Sequence, residues 1–120
     1  MKILIRLICS FALLLGVHNA LACDYPTKAS VANGSTATKE DMIESQRSVK
    51  KFVGAMEAYL ECIVGEEKAA RSALGELQPE DEQQRQEMLN KKYNAAVDDM
   101  ERVAARFNAE VQAYKGKDGS

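Results

Sequence analysis

MIESQRSVKKFVGAMEAYLECIVGEEKAARSALGEL, residues 42 to 77, carries an apolar or alanine side chain at every seventh position. Two helical turns take about seven residues, so this spacing places the side chains on one face of a helix. Further apolar residues between these positions widen the stripe. The segment therefore predicts a long amphipathic helix with a coiled-coil-like seam. Its seventh positions are Met42, Val49, Met56, Ile63, Ala70 and Leu77.

A proline followed by three acidic residues indicates the start of a second helix. Pro79 fits the first turn of a helix, where its missing N–H costs nothing, and acidic side chains suit the positive end of the helix dipole. We expect helix 1 at about residues 39–75 and helix 2 at about residues 79–115. A connection of about three residues requires the helices to run antiparallel.

The ends of the two segments carry capping signals. Thr38 is a good N-cap for helix 1, because its hydroxyl can accept a hydrogen bond from an unpaired backbone N–H. Gly116 follows helix 2 as the usual residue after a helix end. The sequence thus predicts an all-α fold, a long antiparallel two-helix hairpin over residues 39–115, with a flexible tail at residues 116–120.

The N-terminus has the three parts of a secretory signal peptide. Lys2 and Arg6 precede an apolar run at residues 7–17, and Ala20-Leu21-Ala22 forms a small-x-small cleavage site. The apolar run is shorter than the roughly 20 residues of a membrane-spanning helix. We therefore expect residues 1–22 to be a signal peptide and the protein to be exported, either periplasmic or secreted, with no transmembrane span.

Residues 23–38 lack a helical stripe and are rich in Ser, Thr and Ala. We expect an extended N-terminal segment with a turn at Asn33–Gly34. Cleavage after Ala22 also removes Cys9 and His18, the single histidine of the chain.

Charge and residue types exclude several classes of function. Without Lys2 and Arg6, 14 basic residues stand against 18 acidic ones, a balance that argues against a nucleic-acid partner. With no histidine after the leader and no carboxylate pair in an evident pocket, general acid–base catalysis has no candidate group. We therefore expect no catalytic residues and no enzyme activity.

Three roles compete for Cys23. It can pair with Cys62 in a disulfide, carry a lipid anchor, or take part in thiol chemistry. The lipid signal is imperfect because Ala20 stands where a leucine is usual, and the thiol role lacks both a C-x-x-C motif and a histidine. The disulfide uses both cysteines of the exported chain, which favours it.

A distance test also favours the Cys23–Cys62 disulfide. Helix 1 rises about 36 Å from Thr38 to Cys62, while the residues from Thr38 back to Cys23 span at most about 50 Å when extended. The N-terminal segment is thus long enough to run back along helix 1 and reach Cys62.

The sequence predicts neither a metal site nor a cofactor. Met42, Met56 and Met100 lie on the apolar stripes, where methionine serves as a core residue. The acidic residues near Pro79 lack the spacing of a calcium-binding loop.

Three stretches, CDYPTK, NGSTATKEDM and KKYNAAVDDMERVAARFN, resemble a small family of exported helical-hairpin proteins of Gram-negative bacteria. The resemblance covers most of the chain after the leader. It implies a periplasmic setting, and it implies no activity, cofactor or catalytic residue.

We expect a non-enzymatic structural or protein-interaction module that contacts a second copy of itself, as a homodimer, or an envelope protein through its helices. An envelope lipoprotein anchored through Cys23, serving as a spacer or scaffold, is an alternative. A protein that handles thiols or soft metals is another. The predicted interaction seam comprises Met42, Val49, Phe52, Val53, Met56, Leu60, Ile63, Tyr93, Val97, Met100, Phe107 and Val111.

Overall fold

A computed structural model describes residues 22–118. Within that range two α-helices and no β-strand follow an extended N-terminal segment. Helix α1 spans Lys39–Leu74 and helix α2 spans Pro79–Asp118. The two helices pack side by side in antiparallel order, which confirms the all-α hairpin. The predicted signal peptide lies outside the described residues apart from Ala22, as do residues 119 and 120 of the predicted tail.

Both ends of α1 are closed by local hydrogen bonds. Thr38 Oγ1 accepts from the Asp41 N–H at 3.2 Å, and Asp41 Oδ2 accepts from the Thr38 N–H at 2.8 Å, a reciprocal pair that confirms the predicted N-cap. The hydrogen bond from the Thr38 backbone lowers the pKa of Asp41. At the other end Gly75 adopts a φ of +70°, which glycine tolerates best, and its N–H donates to the Arg71 carbonyl.

Helix α2 runs to Asp118, three residues past the predicted end at Lys115, so residues 116–118 are helical and not part of a flexible tail. Lys117 accounts for the extra turn. Its Nζ donates to the Ala37 carbonyl at 2.6 Å and lies 4.6 Å from the centre of the Tyr114 ring. These contacts join the last turn of α2 to the residues just before α1, and they offset the unfavourable helix propensity of glycine.

The core lies mainly along α1. Met56 on α1 and Ala96 on α2 are fully buried. Ala96 is the sole contribution of α2 to the buried hydrophobic residues of the described chain, because the other apolar residues of α2 are half-buried or exposed. The buried core cluster is Phe52, Met56, Leu60, Ile63 and Ala96.

Residues 23–37, which we name the strap, explain why α1 is the more buried helix. The strap is extended and runs from Cys62 back to the start of α1, with Val31 and Ala37 buried. Its contacts reach α2 as well as α1. The predicted extended segment is therefore confirmed, and it lies in the groove between the helices rather than on α1 alone.

The turn of the strap packs directly against the backbone of α2. The Asn33 carbonyl accepts from the N–H groups of Thr36 and Ala37, which closes the turn. Gly34 is buried, and a Cβ atom added to it would lie 1.8 Å from the carbonyl oxygen of Glu110. Real atoms cannot approach so closely, so this contact requires glycine.

Gly34→Ala should destabilise the protein by about 1–3 kcal/mol, because the added methyl group forces the strap away from α2. Gly54→Ala is the matched control. No atom lies within 4 Å of a Cβ built on Gly54, so alanine should stabilise α1 by up to about 1 kcal/mol. Urea unfolding of both variants measures the difference. Equal free energies of unfolding for Gly34→Ala and wild type would contradict the close contact.

Candidate functional site

The groove between α1 and α2 is the candidate functional site, and it has two parts. The strap fills the first part, from the start of α1 to Cys62. Beyond Cys62 the groove continues toward the tip of the hairpin as an open cleft. The contacts that hold the strap decide which surfaces of the hairpin are covered and which remain exposed.

A disulfide fixes the N-terminal end of the strap. Cys23 and Cys62 are bonded through their sulfur atoms with a Cα–Cα distance of 5.8 Å, which confirms the predicted pair. A sulfur in a disulfide is not available for a lipid thioether. It is also not a thiolate, so the two sulfurs offer no soft-metal ligand, although a carboxylate oxygen of Glu66 lies within 4.8 Å of both.

Tyr25 attaches the strap to both helices close to the disulfide. Its hydroxyl donates to Asp99 Oδ2 at 2.6 Å, and its ring forms a T-shaped pair with the Tyr59 ring, with centroids 5.0 Å apart. Partial burial, the hydrogen bond to Asp99 and the negative charge of Asp99 raise the pKa of Tyr25 to about 12. All three effects disfavour the phenolate.

Two serines of α1 accept hydrogen bonds from the strap backbone. Ser48 Oγ accepts from the Ser30 N–H at 2.8 Å, and Ser45 Oγ accepts from the Ala32 N–H at 2.9 Å. Ser45 is buried although serine is usually exposed. The hydrogen bond from the Ala32 N–H gives this buried hydroxyl a partner, so burying it leaves no polar group unsatisfied.

Helix α2 also holds the strap, through charged side chains. Glu110 Oε2 accepts from the Gly34 N–H at 2.7 Å, and Arg106 donates to the Val31 carbonyl at 3.4 Å. Together with the bond from Lys117 to Ala37, these contacts pair strap backbone groups with charged partners, which makes them stronger than neutral hydrogen bonds.

An ion-pair network joins the helices at the tip of the hairpin. Glu67 accepts two hydrogen bonds from Arg85 at 3.0 Å and a third from Arg71, and Arg71 also reaches Glu82 at 2.8 Å. Hydrogen bonding to Arg85, followed by that to Arg71, lowers the pKa of Glu67. The network fixes the register of the helices where apolar packing is thin.

The open cleft lies between Cys62 and this network and has a volume of about 280 Å³. Glu66 and Lys92 both line it, and neither forms an ion pair within residues 22–118. Large apolar side chains are exposed around this end of the hairpin. They are Val64, Leu74, Met88 and Tyr93, with exposed fractions of 45%, 54%, 56% and 41%. The cleft is lined by Ile63, Glu66, Glu67, Ala70, Arg85, Met88, Leu89 and Lys92.

The residues of the predicted interaction seam occupy different environments. Five of them are buried: Met42, Phe52, Met56, Leu60 and Ile63. Six are half-buried: Val49, Val53, Val97, Met100, Phe107 and Val111. Tyr93 is exposed, and Ala96 instead takes the central buried position on α2.

Several groups of the site were not identified from the sequence. Ser45 carried a signal, because a serine at a stripe position three residues after Met42 needs a buried partner. Asp99, Glu110 and the Glu67–Arg85 pair had no such signal. Their partners are distant in the chain, and charged residues on a helix usually face solvent.

Comparisons of the chain with protein-family models, with curated proteins and with solved structures find no match.

No helix in the described range is both long enough and apolar enough to cross a membrane.

Replacing Cys62 with Ser should lower the free energy of unfolding by up to about 4 kcal/mol, since the disulfide closes a loop with a sequence separation of 39. Thermal melts with and without a reducing agent measure the effect. The double variant Cys23→Ser, Cys62→Ser is the control, and its melting temperature should not respond to reductant. A wild-type melt that reductant leaves unchanged, with reduction verified by thiol labelling, would contradict the stabilising role.

Tyr25 should ionise at about pH 12 in the folded protein, against an ordinary value of 10.0. Because the folded pKa is raised, the stabilisation from its hydrogen bond is complete below about pH 10 and is lost as the pH rises toward 12. The difference between the ultraviolet titrations of wild type and Tyr25→Phe isolates this group. Asp99→Asn should lower the pKa, whereas Asp98→Asn, at the neighbouring exposed carboxylate, should leave it near the wild-type value.

Proposed function

We propose that this protein is an exported, non-enzymatic interaction module that binds through helix–helix contacts at the tip of its hairpin. The leader pattern supports export to the periplasm or the exterior, and a disulfide between half-buried cysteines suits an oxidising compartment. The absence of histidine after residue 18 and the pairing of both remaining cysteines support a role without catalysis.

The observation that carries the proposal is the contrast between the two parts of the groove. The strap covers the groove up to Cys62 with a disulfide and hydrogen bonds to both helices. Beyond that point Leu74 and Met88 are more than half exposed. Exposed apolar side chains grouped at one end of a molecule, beside polar residues, are typical of a protein-binding surface.

A second copy of the chain is the partner that fits this end best. In a two-fold symmetric dimer the same patch meets itself, so a patch that carries both charges complements its own copy. The cleft holds an unpaired carboxylate, Glu66, and an unpaired ammonium group, Lys92, beside the apolar Met88. Two hairpins joined there form a four-helix bundle, which buries apolar stripes that a single hairpin leaves exposed. A helical protein of the cell envelope is the other partner that such a surface suits.

Sedimentation velocity over a wide range of concentration tests the homodimer. We expect the wild-type chain to pass from monomer to dimer, and Met88→Lys to remain a monomer because it places a charge in the contact. Ile43→Lys is the matched control, since Ile43 is 40% exposed on α1 outside the cleft, and it should dimerise like wild type.

Two results would contradict self-association through the tip. One is a wild-type protein that stays monomeric at every concentration. The other is an Ile43→Lys variant that loses the dimer as completely as Met88→Lys. Thermal melts of each variant distinguish loss of the contact from loss of the fold.

A further inference from the structure

Asn33 and Gly34 form a pair with intrinsic reactivity that neither the fold nor the proposed function uses. When glycine follows asparagine, its backbone nitrogen can attack the side-chain carbonyl carbon of the asparagine without steric hindrance. A bond forms from Gly34 N to Asn33 Cγ, the bond from Cγ to Nδ2 breaks, and ammonia leaves. Water then opens the cyclic imide, which leaves either aspartate or an isoaspartate whose backbone runs through the side-chain carbon.

The docked strap opposes the first step of this reaction. The attacking nitrogen must lose its proton and turn toward the Asn33 side chain. In the structure the Gly34 N–H instead donates to Glu110 Oε2 at 2.7 Å, a negatively charged acceptor that holds the proton in place. Asn33 Oδ1 meanwhile accepts from the Ser35 N–H at 3.0 Å, which fixes the side-chain amide.

The product also cannot keep the geometry of this turn. Gly34 is buried tightly against α2, since a Cβ atom built on it would lie 1.8 Å from the Glu110 carbonyl oxygen and 2.8 Å from Tyr114 N, so the turn cannot shift toward α2. Isoaspartate lengthens the backbone by one carbon within the turn that the Asn33 carbonyl closes onto Thr36 and Ala37. A chain with this change cannot present Gly34 to Glu110 in the same position.

We propose that Asn33–Gly34 is a modification site that the docked strap protects and that deamidates, largely to isoaspartate, when the strap leaves the groove. Glu110 is the positioning residue for this protection. Departure of the strap thereby becomes irreversible, because the modified turn no longer fits against α2. The Asn33–Gly34 turn contacts α2 near its C-terminal end, whereas the tip of the hairpin, where dimerisation is proposed, lies at the start of α2.

Peptide mass spectrometry of the disulfide-intact chain, incubated at mildly alkaline pH, tests the proposal. Folded wild type should deamidate at Asn33 at least about 10-fold more slowly than the same chain held unfolded in denaturant, since the folded reaction requires local opening. Asn90, Asn94 and Asn108 are internal controls, because each precedes a residue with a side chain and should react slowly in both states.

Three variants separate the role of Glu110 from general loosening of the strap. Glu110→Ala removes the acceptor and should raise the folded-state rate several-fold. Glu110→Gln retains an oxygen that accepts from the Gly34 N–H but lacks the negative charge, so its rate should fall between those of wild type and Glu110→Ala. Ser48→Ala removes the acceptor for the Ser30 N–H, away from the turn, and should leave the Asn33 rate low.

The proposal is overturned if Asn33 reacts equally fast in the folded and unfolded chains. It is also overturned if Glu110→Ala, with its fold verified by circular dichroism, reacts no faster than wild type. A rise in Ser48→Ala equal to that in Glu110→Ala would assign the protection to overall strap stability and remove Glu110 from it. Refolding after unfolded incubation provides the last check, because isoaspartyl chains should fail to regain the wild-type melting temperature while unmodified chains recover it.

Discussion

Two packed helices bury one stripe each and leave a groove along the line where they meet, and the structure depends on how this groove is filled. A single stripe is too little buried surface for a stable small domain. The strap supplies a third element, so that both α2 and the strap cover α1. The buried residues of α1 between Met42 and Ile63 then form most of the core. The disulfide fixes the strap at Cys62, and the side contacts along both helices keep it in the groove. The position of the core therefore depends on the strap being held in the groove.

An extended segment in a groove brings its backbone polar groups with it, and each needs a partner. Within residues 22–118 no β-strand lies beside the strap, so side chains on the helices supply the hydrogen-bond partners. Ser45 and Glu110 accept from strap N–H groups, and Arg106 and Lys117 donate to strap carbonyls. Among the described residues no buried side-chain nitrogen or oxygen is left without a partner. These polar contacts fix the register of the strap, which apolar contacts alone, being non-directional, do not specify.

The two ends of the hairpin are stabilised by different means, and this difference underlies the proposed function. Near the start of α1, the strap contacts the last turns of α2, and Val31, Ala37 and Met42 are buried there. Near the tip, the ion pairs Glu67–Arg85 and Arg71–Glu82 join the two helices, and few apolar side chains are buried there. The apolar side chains at that end remain exposed and available for another helix. The end that is closed also contains the reactive Asn33–Gly34 pair, so a tight fit against α2 serves both stability and chemical protection there.

The helical segments, their antiparallel order and the pairing of Cys23 with Cys62 were predictable from the sequence. Each follows from a pattern that can be read directly from the sequence: a seven-residue period, a proline break, a short connection, and two cysteines after the predicted leader. The end of α2, the position of the strap across both helices, and the partners of its backbone were not predictable in this way. Tyr25 and Asp99 are 74 positions apart, and Gly34 and Glu110 are 76 apart. No periodicity links such residues, because charged and polar side chains on a helix surface look alike until a particular groove and a particular register bring one of them within hydrogen-bonding distance. The sequence by itself determined a hairpin with a disulfide, while the tertiary structure alone decided which polar groups meet, since hydrogen bonds act only over about 3 Å.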